Sequence, residues 1–162
     1  MVEKDLKEAL LIYNHFIENS YANFEEKKIS LKKFRSQYNI IILKKLPFLV
    51  AEYTNKIVGL AYLQNYRVKS GYKYTFENSI YIHPNYTNKG IGNKLLKKLI
   101  STEKKNKNIK NIIAVIGNID NKKSVTIHKK NGFKKIGTLK KIGFKKNKWI
   151  DSVYMQKVLW KK

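Results

Sequence analysis

Glu77-Asn78-Ser79-Ile80-Tyr81-Ile82-His83-Pro84-Asn85-Tyr86-Thr87-Asn88-Lys89-Gly90-Ile91-Gly92-Asn93-Lys94-Leu95-Leu96-Lys97-Lys98-Leu99 is the stretch whose reading decides the fold. Ile80, Tyr81 and Ile82 are β-branched or aromatic and are stopped by Pro84, which has no N–H for a ladder, so a strand is expected to end at His83. From Leu95 the apolar residues fall at 95, 96, 99 and 100, the spacing of one helical face. Gly90-Ile91-Gly92 lies between the two. Glycines at a strand-to-helix turn let the backbone approach a ligand, and the unpaired N–H groups of the first helical turn then favour an anion, such as a phosphate or pyrophosphate. By themselves two glycines before a helix are equally plain turn chemistry.

Outward from this stretch the chain reads as one α/β domain over residues 1–162. In order we expect a helix over 6–18 with Asp5 as its cap, and an inner side of Leu6, Leu10 and Ile17 with Ala9, Tyr13 and Phe16. A loop with Tyr21 and Phe24 follows, then a helix capped by Ser30 and stopped by Pro47, with Phe34 and Tyr38 on one face. A hairpin is expected over 48–65, turning at Thr54-Asn55-Lys56, and then a basic loop over 67–73. The helix after Gly92 is expected to reach about Lys105, and Ile109 to Ile116 to form a central strand. Asn121 caps a last helix ended by Asn131-Gly132. Two strands, 133–142 and 150–158, separated by Gly143 and a lysine-rich turn, complete a mixed sheet with helices on both faces.

Composition narrows the function. The 162 residues are 43% hydrophobic, enough for a core without staples. Cysteine is absent, which excludes disulfides, thiolate metal sites and a cysteine nucleophile. No run approaches membrane-spanning length, and the opening Met1-Val2-Glu3-Lys4-Asp5-Leu6-Lys7 lacks the apolar core of a secretory signal, so a cytoplasmic protein with no membrane partner is expected. The net charge of +24 invites a nucleic-acid reading. The lysines, however, are spread over nearly every segment among many Asn and Ile, a composition that A/T-rich codons also produce, and nucleic acid is not the expected partner. The positive field would still draw in an anionic cofactor.

A second polar constellation lies downstream. Asn121-Lys-Lys-Ser124-Val-Thr-Ile-His128 brings Asn121, Ser124 and His128 within two turns of one helix. A capping Asn and a surface His explain it as well as a site does.

Together the two segments resemble the GNAT superfamily of N-acetyltransferases, in which a strand precedes Arg/Gln-x-x-Gly-x-Gly/Ala and later Asn-x-x-Ala/Ser-x-x-x-Tyr-x-x-x-Gly-Phe. Thr87 to Gly92 fits the first motif except that Thr87 replaces Arg or Gln; Asn121 to Phe133 fits the second with His128 in place of Tyr. The chain is more specifically similar to the branch that acetylates phosphinothricin and methionine sulfoximine or sulfone. Ile12-Tyr13-Asn14-His15, Ala22-Asn23-Phe24-Glu25, Thr75 to Pro84, Ala114-Val115-Ile116-Gly117 and Gly143-Phe144-Lys145-x-x-x-Trp149-x-Asp151 look like its signatures, in order, over essentially the whole chain. The first strand of that fold would be short here, since only four residues precede Asp5.

The resemblance implies acetyl-CoA as cosubstrate, with no metal. It places the pyrophosphate on the amides of Asn88, Lys89, Gly90, Ile91, Gly92 and Asn93, puts Asn121 beside the cofactor, and lays the pantetheine arm along Ile80, Tyr81 and Ile82, one of whose N–H groups would face the oxyanion. Glu77 matches the branch's catalytic base for the acceptor ammonium; without the resemblance it could as readily pair with Lys73. His128 is open to two roles, acid for the departing sulfur or second base, and the family's Tyr favours the acid. Arg67 and Lys69 stand where the branch has paired basic residues, one holding the acceptor carboxylate, and Lys69 lacks the fork of the more usual Arg. Phe24 and Tyr72 look like walls of the acceptor pocket, or else core. Phe144, Trp149 and Asp151 would line the pocket or a contact of the homodimer that members of this branch commonly form.

The function expected is therefore N-acetylation of a small amino-acid analogue. The alternatives are a protein or ribosomal N-terminal or polyamine acetyltransferase of the same fold and, outside enzymes, a basic nucleic-acid-binding or CoA-sensing module.

Overall fold

Hydrophobic alternation sets out the strands. The computed structural model describes residues 1–103, 108–117 and 121–160. Helices α1 (Leu6–Asn19) and α2 (Leu31–Leu43) lead into a hairpin of β1 (Phe48–Tyr53) and β2 (Lys56–Asn65). Then come β3 (Thr75–Ile82), α3 (Ile91–Glu103), β4 (Asn111–Gly117), α4 (Lys122–Lys130), β5 (Lys134–Lys145) and β6 (Lys148–Val158). The sheet order is β1-β2-β3-β4-β6-β5, antiparallel except between β3 and β4. Among the described residues no helix is long and apolar enough to cross a membrane.

Register assigns each side chain to a face, because successive residues of a strand point to opposite sides. Tyr62, pairing Ser79, and Gln64, pairing Glu77, share one face with Tyr81, whose ring meets Tyr13 of α1 edge-on at 5.5 Å. Ile80, Ile82 and Gly59 lie on the other face, where a Cβ on Gly59 would touch Leu95 of α3. So α1 and α2 cover one face, and α3 and α4 the other. On α3 the residues Leu95, Leu96, Leu99 and Ile100 are all buried, as the spacing predicts, each such burial stabilising by about 2 kcal/mol. On α1 the buried set is Leu6, Ala9, Ile12, Tyr13 and Ile17, with Ile12 in the core and Leu10 half-buried.

Several local expectations are corrected by backbone chemistry. Asp5 occupies the N-cap position but makes no cap bond; its Oδ2 accepts from the Val2 amide at 2.8 Å, closing a 3-10 turn over Glu3–Asp5 where a short first strand was expected. Ser30 does cap α2, accepting from Lys33 N. That helix stops before Pro47: Lys45 takes a left-handed φ of 55°, and the amides of Lys45 and Leu46 bond the carbonyls of Ile42 and Ile41, a Schellman closure. Lys105, the expected end of α3, lies outside the described residues. The final hairpin turns at Lys146-Asn147, both at positive φ, within the expected lysine-rich turn, but Gly143, expected between the strands, stays in β5. A bulge between Leu139 and Gly143 is pinned by Asp151, whose carboxylate accepts from Lys141 N and Lys140 Nζ, each at 2.8 Å.

Candidate active site

The parallel pairing of β3 with β4 covers only Thr75 to Glu77 against Asn111 to Ile113, although β3 continues to Ile82 and β4 to Gly117. Beyond Glu77 the two strands part, and a cleft of about 1420 Å³ opens, lined from both faces of the sheet. Antiparallel pairing directs alternate residues to the neighbour: His83 N bonds Val58 O and Tyr66 N bonds Thr75 O, so the odd-numbered residues of β3 face β2. The N–H groups of Ile80 and Ile82 therefore face the opening, and that of Tyr81 does not, which narrows the expected donor edge to two residues.

One end of the cleft has the backbone geometry an anion would require. Asn88 and Gly90 take φ of 63° and 75°, turning the chain into α3, and the first intrahelical bond there is Lys94 N to Gly90 O at 3.0 Å. The amides of Ile91, Gly92 and Asn93 precede that bond and lie at the positive end of the helix. Thr87, Asn88 and Gly90 to Asn93 line the cleft, as does Asn121, whose side chain accepts from Ser124 N. The Thr87 hydroxyl donates to Pro84 O, so it is committed to the turn. The Lys89 ammonium lies over the rings of Tyr86 and Tyr53, at 5.1 and 6.0 Å.

Glu77 sits where β3 and β4 part, on the α1 face. Burial pushes its carboxyl up to about 7, opposed by the Arg67 guanidinium. The alternative ion pair with Lys73 is not formed; that ammonium lies over the Tyr74 ring at 5.0 Å. Around Glu77 the Tyr62 and Tyr81 hydroxyls, near Ser79 and Tyr13, are raised by burial first and so stay protonated.

His128 lies on the opposite face and is 2% exposed. Its Nδ1 bonds the Ser124 carbonyl at 2.7 Å; a carbonyl only accepts, so Nδ1 carries the proton. Nε2 then accepts from Asn78 Nδ2 at 3.0 Å. Burial lowers the ring's pKa against the weaker opposing effect of the Ser124 bond. In this arrangement Nε2 has no proton to give, which runs against the acid role expected of it. Asn78 falls within the Thr75 to Pro84 signature, but no role for its side chain was legible there. It is buried, lines the cleft, and its Oδ1 has no protein partner, so an acceptor oxygen is left for a bound N–H donor.

The expected acceptor residues divide. Phe24 lines the cleft, with its ring over Gly117 and Gly143. Arg67 is exposed, stacked on Tyr66 at 5.1 Å, and close enough for Glu77 and Tyr154 to feel its charge. Arg67, Lys69 and Tyr72 are all exposed and do not line the cleft, so within one chain the 67–73 loop does not close over a pocket. The cradle, the unpaired Asn78 Oδ1 and the two β3 N–H groups at the opening fit a long ligand with an anionic end and amide groups that both donate and accept, which coenzyme A possesses.

Comparison with known proteins bears on the same cleft. The acetyltransferase (GNAT) domain model matches residues 1–154. A phosphinothricin N-acetyltransferase of Alcaligenes faecalis is 36% identical over 157 residues, 97% of this chain and 79% of that one. The crystal structure of a GNAT superfamily phosphinothricin acetyltransferase from Sinorhizobium meliloti with AcCoA superposes with a TM-score of 0.93 at 31% identity, covering 98% of this chain and 85% of that one. A ribosomal-protein-alanine N-acetyltransferase structure from Brucella melitensis also reaches 0.93, at 33% identity and coverage of 98% and 96%.

Proposed function

The chain belongs to the GNAT family of acetyltransferases and is an acetyl-CoA-dependent N-acetyltransferase; from that premise we propose that its acceptor is the α-amine of a small amino-acid analogue of the phosphinothricin or methionine sulfone type. The observation that carries the proposal is Glu77: a carboxyl with a pKa of about 7, free of a lysine partner, in the cleft where the strands part. An α-ammonium must lose a proton before it can attack, and a base matched to neutral pH removes it most effectively.

Acetyl-CoA supplies the activated acetyl group as a thioester. Ile91, Gly92 and Asn93 hold its pyrophosphate through their amides, and Ile80 and Ile82 offer N–H groups to the pantetheine arm and the carbonyl oxygen. Glu77 takes the ammonium proton on the α1 face. His128, fixed as a neutral ring, orients Asn78 rather than delivering a proton. Arg67, whose charge reaches Glu77, is better placed than Lys69 to hold the acceptor carboxylate. The exposed apolar side chains of Ile142, Phe144 and Trp149 on the last hairpin support a homodimer, which size-exclusion chromatography with light scattering reads.

The likeness to the ribosomal-protein-alanine enzyme favours one second reading, a protein N-terminus as acceptor. Released thiol measured with acetyl-CoA against L-methionine sulfone, phosphinothricin, an alanine-ended peptide and spermidine separates the two. Turnover of the first pair is expected; turnover confined to the peptide or spermidine would overturn the substrate class.

A further inference from the structure

Lys145 is unlike the other lysines among the described residues. It is 1% exposed, and its ammonium donates to the carbonyls of Ser20, at 3.0 Å, and Asn23, residues more than a hundred positions away. Burial lowers its pKa, with the Lys146 charge adding to that and Glu26 and Glu25 opposing it. A lysine placed this way loses side-chain entropy and hydration, so its two bonds must fix something. What they fix is the loop between α1 and α2, which carries Asn23 and Phe24 into the cleft.

Sheet register shows why the clamp reaches the acceptor side. Glu77 pairs Ile113, Gly117 pairs Ser152, and Gly143 pairs Ile150, so Glu77, Gly117, Gly143 and Lys145 all belong to the α1 face. The Phe24 ring lies flat on that face because Gly143 has no side chain; a Cβ there would overlap the ring. The loop's far end is tied separately by Asn14, which bonds both N–H and C=O of Ile29 at 3.0 Å. Between α1 and that anchor, Lys145 joins the loop to the last hairpin.

We propose that Lys145 is a positioning residue of the acceptor subsite: its buried ammonium holds the 20–26 loop against β5 so that Asn23 and Phe24 wall the cleft on the face that carries Glu77. The assignment of that face to the acceptor rests on the function proposed above, whereas the clamp itself does not.

Lys145→Met keeps the unbranched side chain to within one atom and removes both bonds. With L-methionine sulfone as acceptor, the acceptor KM is expected to rise about tenfold or more while the KM for acetyl-CoA stays within about twofold, since misplacing a wall by an ångström is costly at one subsite only. Amide hydrogen exchange is expected to quicken over 20–26 and to stay unchanged over 91–100. Lys145→Gln, able to make one of the two bonds, should fall between. Unchanged acceptor KM and loop exchange in a folded Lys145→Met would overturn the proposal, as would an equal rise in both KM values. Failure of both variants to fold would assign Lys145 to stability alone and overturn it too. If the wild-type protein turns over none of the amines, the functional reading fails, and loop exchange still decides the clamp.

Discussion

Asn78 Nδ2 donates to His128 Nε2 at 3.0 Å across fifty positions of sequence, and so joins the strand that carries Glu77 to the helix that follows the second motif. The bond fixes a neutral His128 with its proton on Nδ1, and it leaves Glu77 and His128 on opposite faces of the sheet, each reaching the cleft from its own side. Four predictions follow from this division of labour.

Glu77→Gln is expected to lower kcat/KM by about a hundredfold to a thousandfold, the range of a positioned base. In the wild-type protein kcat/KM should rise with pH through an apparent pKa near 7, because the working form is the carboxylate; the variant should lack that limb. Stability runs the opposite way. A carboxyl raised from 4.5 to about 7 on folding binds its proton more tightly in the native state, so its contribution is full below pH 4.5 and lost as pH rises through 7. Glu77→Gln should therefore be more stable than wild type at pH 8, by up to about 3 kcal/mol, read from urea midpoints.

Arg67→Gln removes the charge that opposes the rise at Glu77. The acidic limb of the pH profile is expected to move to higher pH, by less than about one unit because the guanidinium is exposed, and the movement should shrink in high salt. The acceptor KM should rise as well if the carboxylate rests on Arg67. A profile identical to wild type at low ionic strength would refute the coupling.

His128→Gln tests the neutral tautomer. A histidine whose folded pKa is depressed costs nothing above its ordinary 6.5 and destabilises as pH falls below it, because the unfolded chain then takes up a proton that the native ring refuses. Melting temperature should drop between pH 6.5 and 5 in wild type and drop less in the variant. If His128 acts by orienting Asn78, kcat should fall with no loss of a basic limb in the pH profile, whereas loss of that limb would restore the acid role.

Thr87→Arg restores the residue that the motif usually has before the cradle. A guanidinium there adds a charge-assisted donor beside the amides of Gly90 to Asn93. Coenzyme A should bind about threefold to tenfold more tightly by calorimetry, with a steeper salt dependence. No gain at low salt would mean that an anion does not rest in this turn.

The Gly90-Ile91-Gly92 turn, the α3 face at Leu95, Leu96, Leu99 and Ile100, and the caps at Ser30 and Asn121 were all legible because each depends on residues within about one turn of one another. The family was legible for a related reason: its motifs are contiguous. The seat of the Lys89 side chain was not legible, because its neighbours in space, Tyr53 and Tyr86, come from separate elements. Lys69 and Tyr72 looked like pocket residues from their place before Glu77, but nothing local tells a loop that folds over a cleft from one that stays outside it. Asn78 and Lys145 were legible as members of contiguous signatures but their contacts were not, since each bonds a partner far along the chain.

Sequence alone therefore determined the elements, the glycine turn before α3 and the family, because dihedral preference, hydrophobic period and contiguous motifs act over a few residues. Tertiary structure decided where β3 and β4 part, and from that which amides are free, why the Glu77 carboxyl titrates near 7 and why His128 stays neutral. Desolvation and strand register are set by what packs alongside, and no stretch of chain carries its own surroundings.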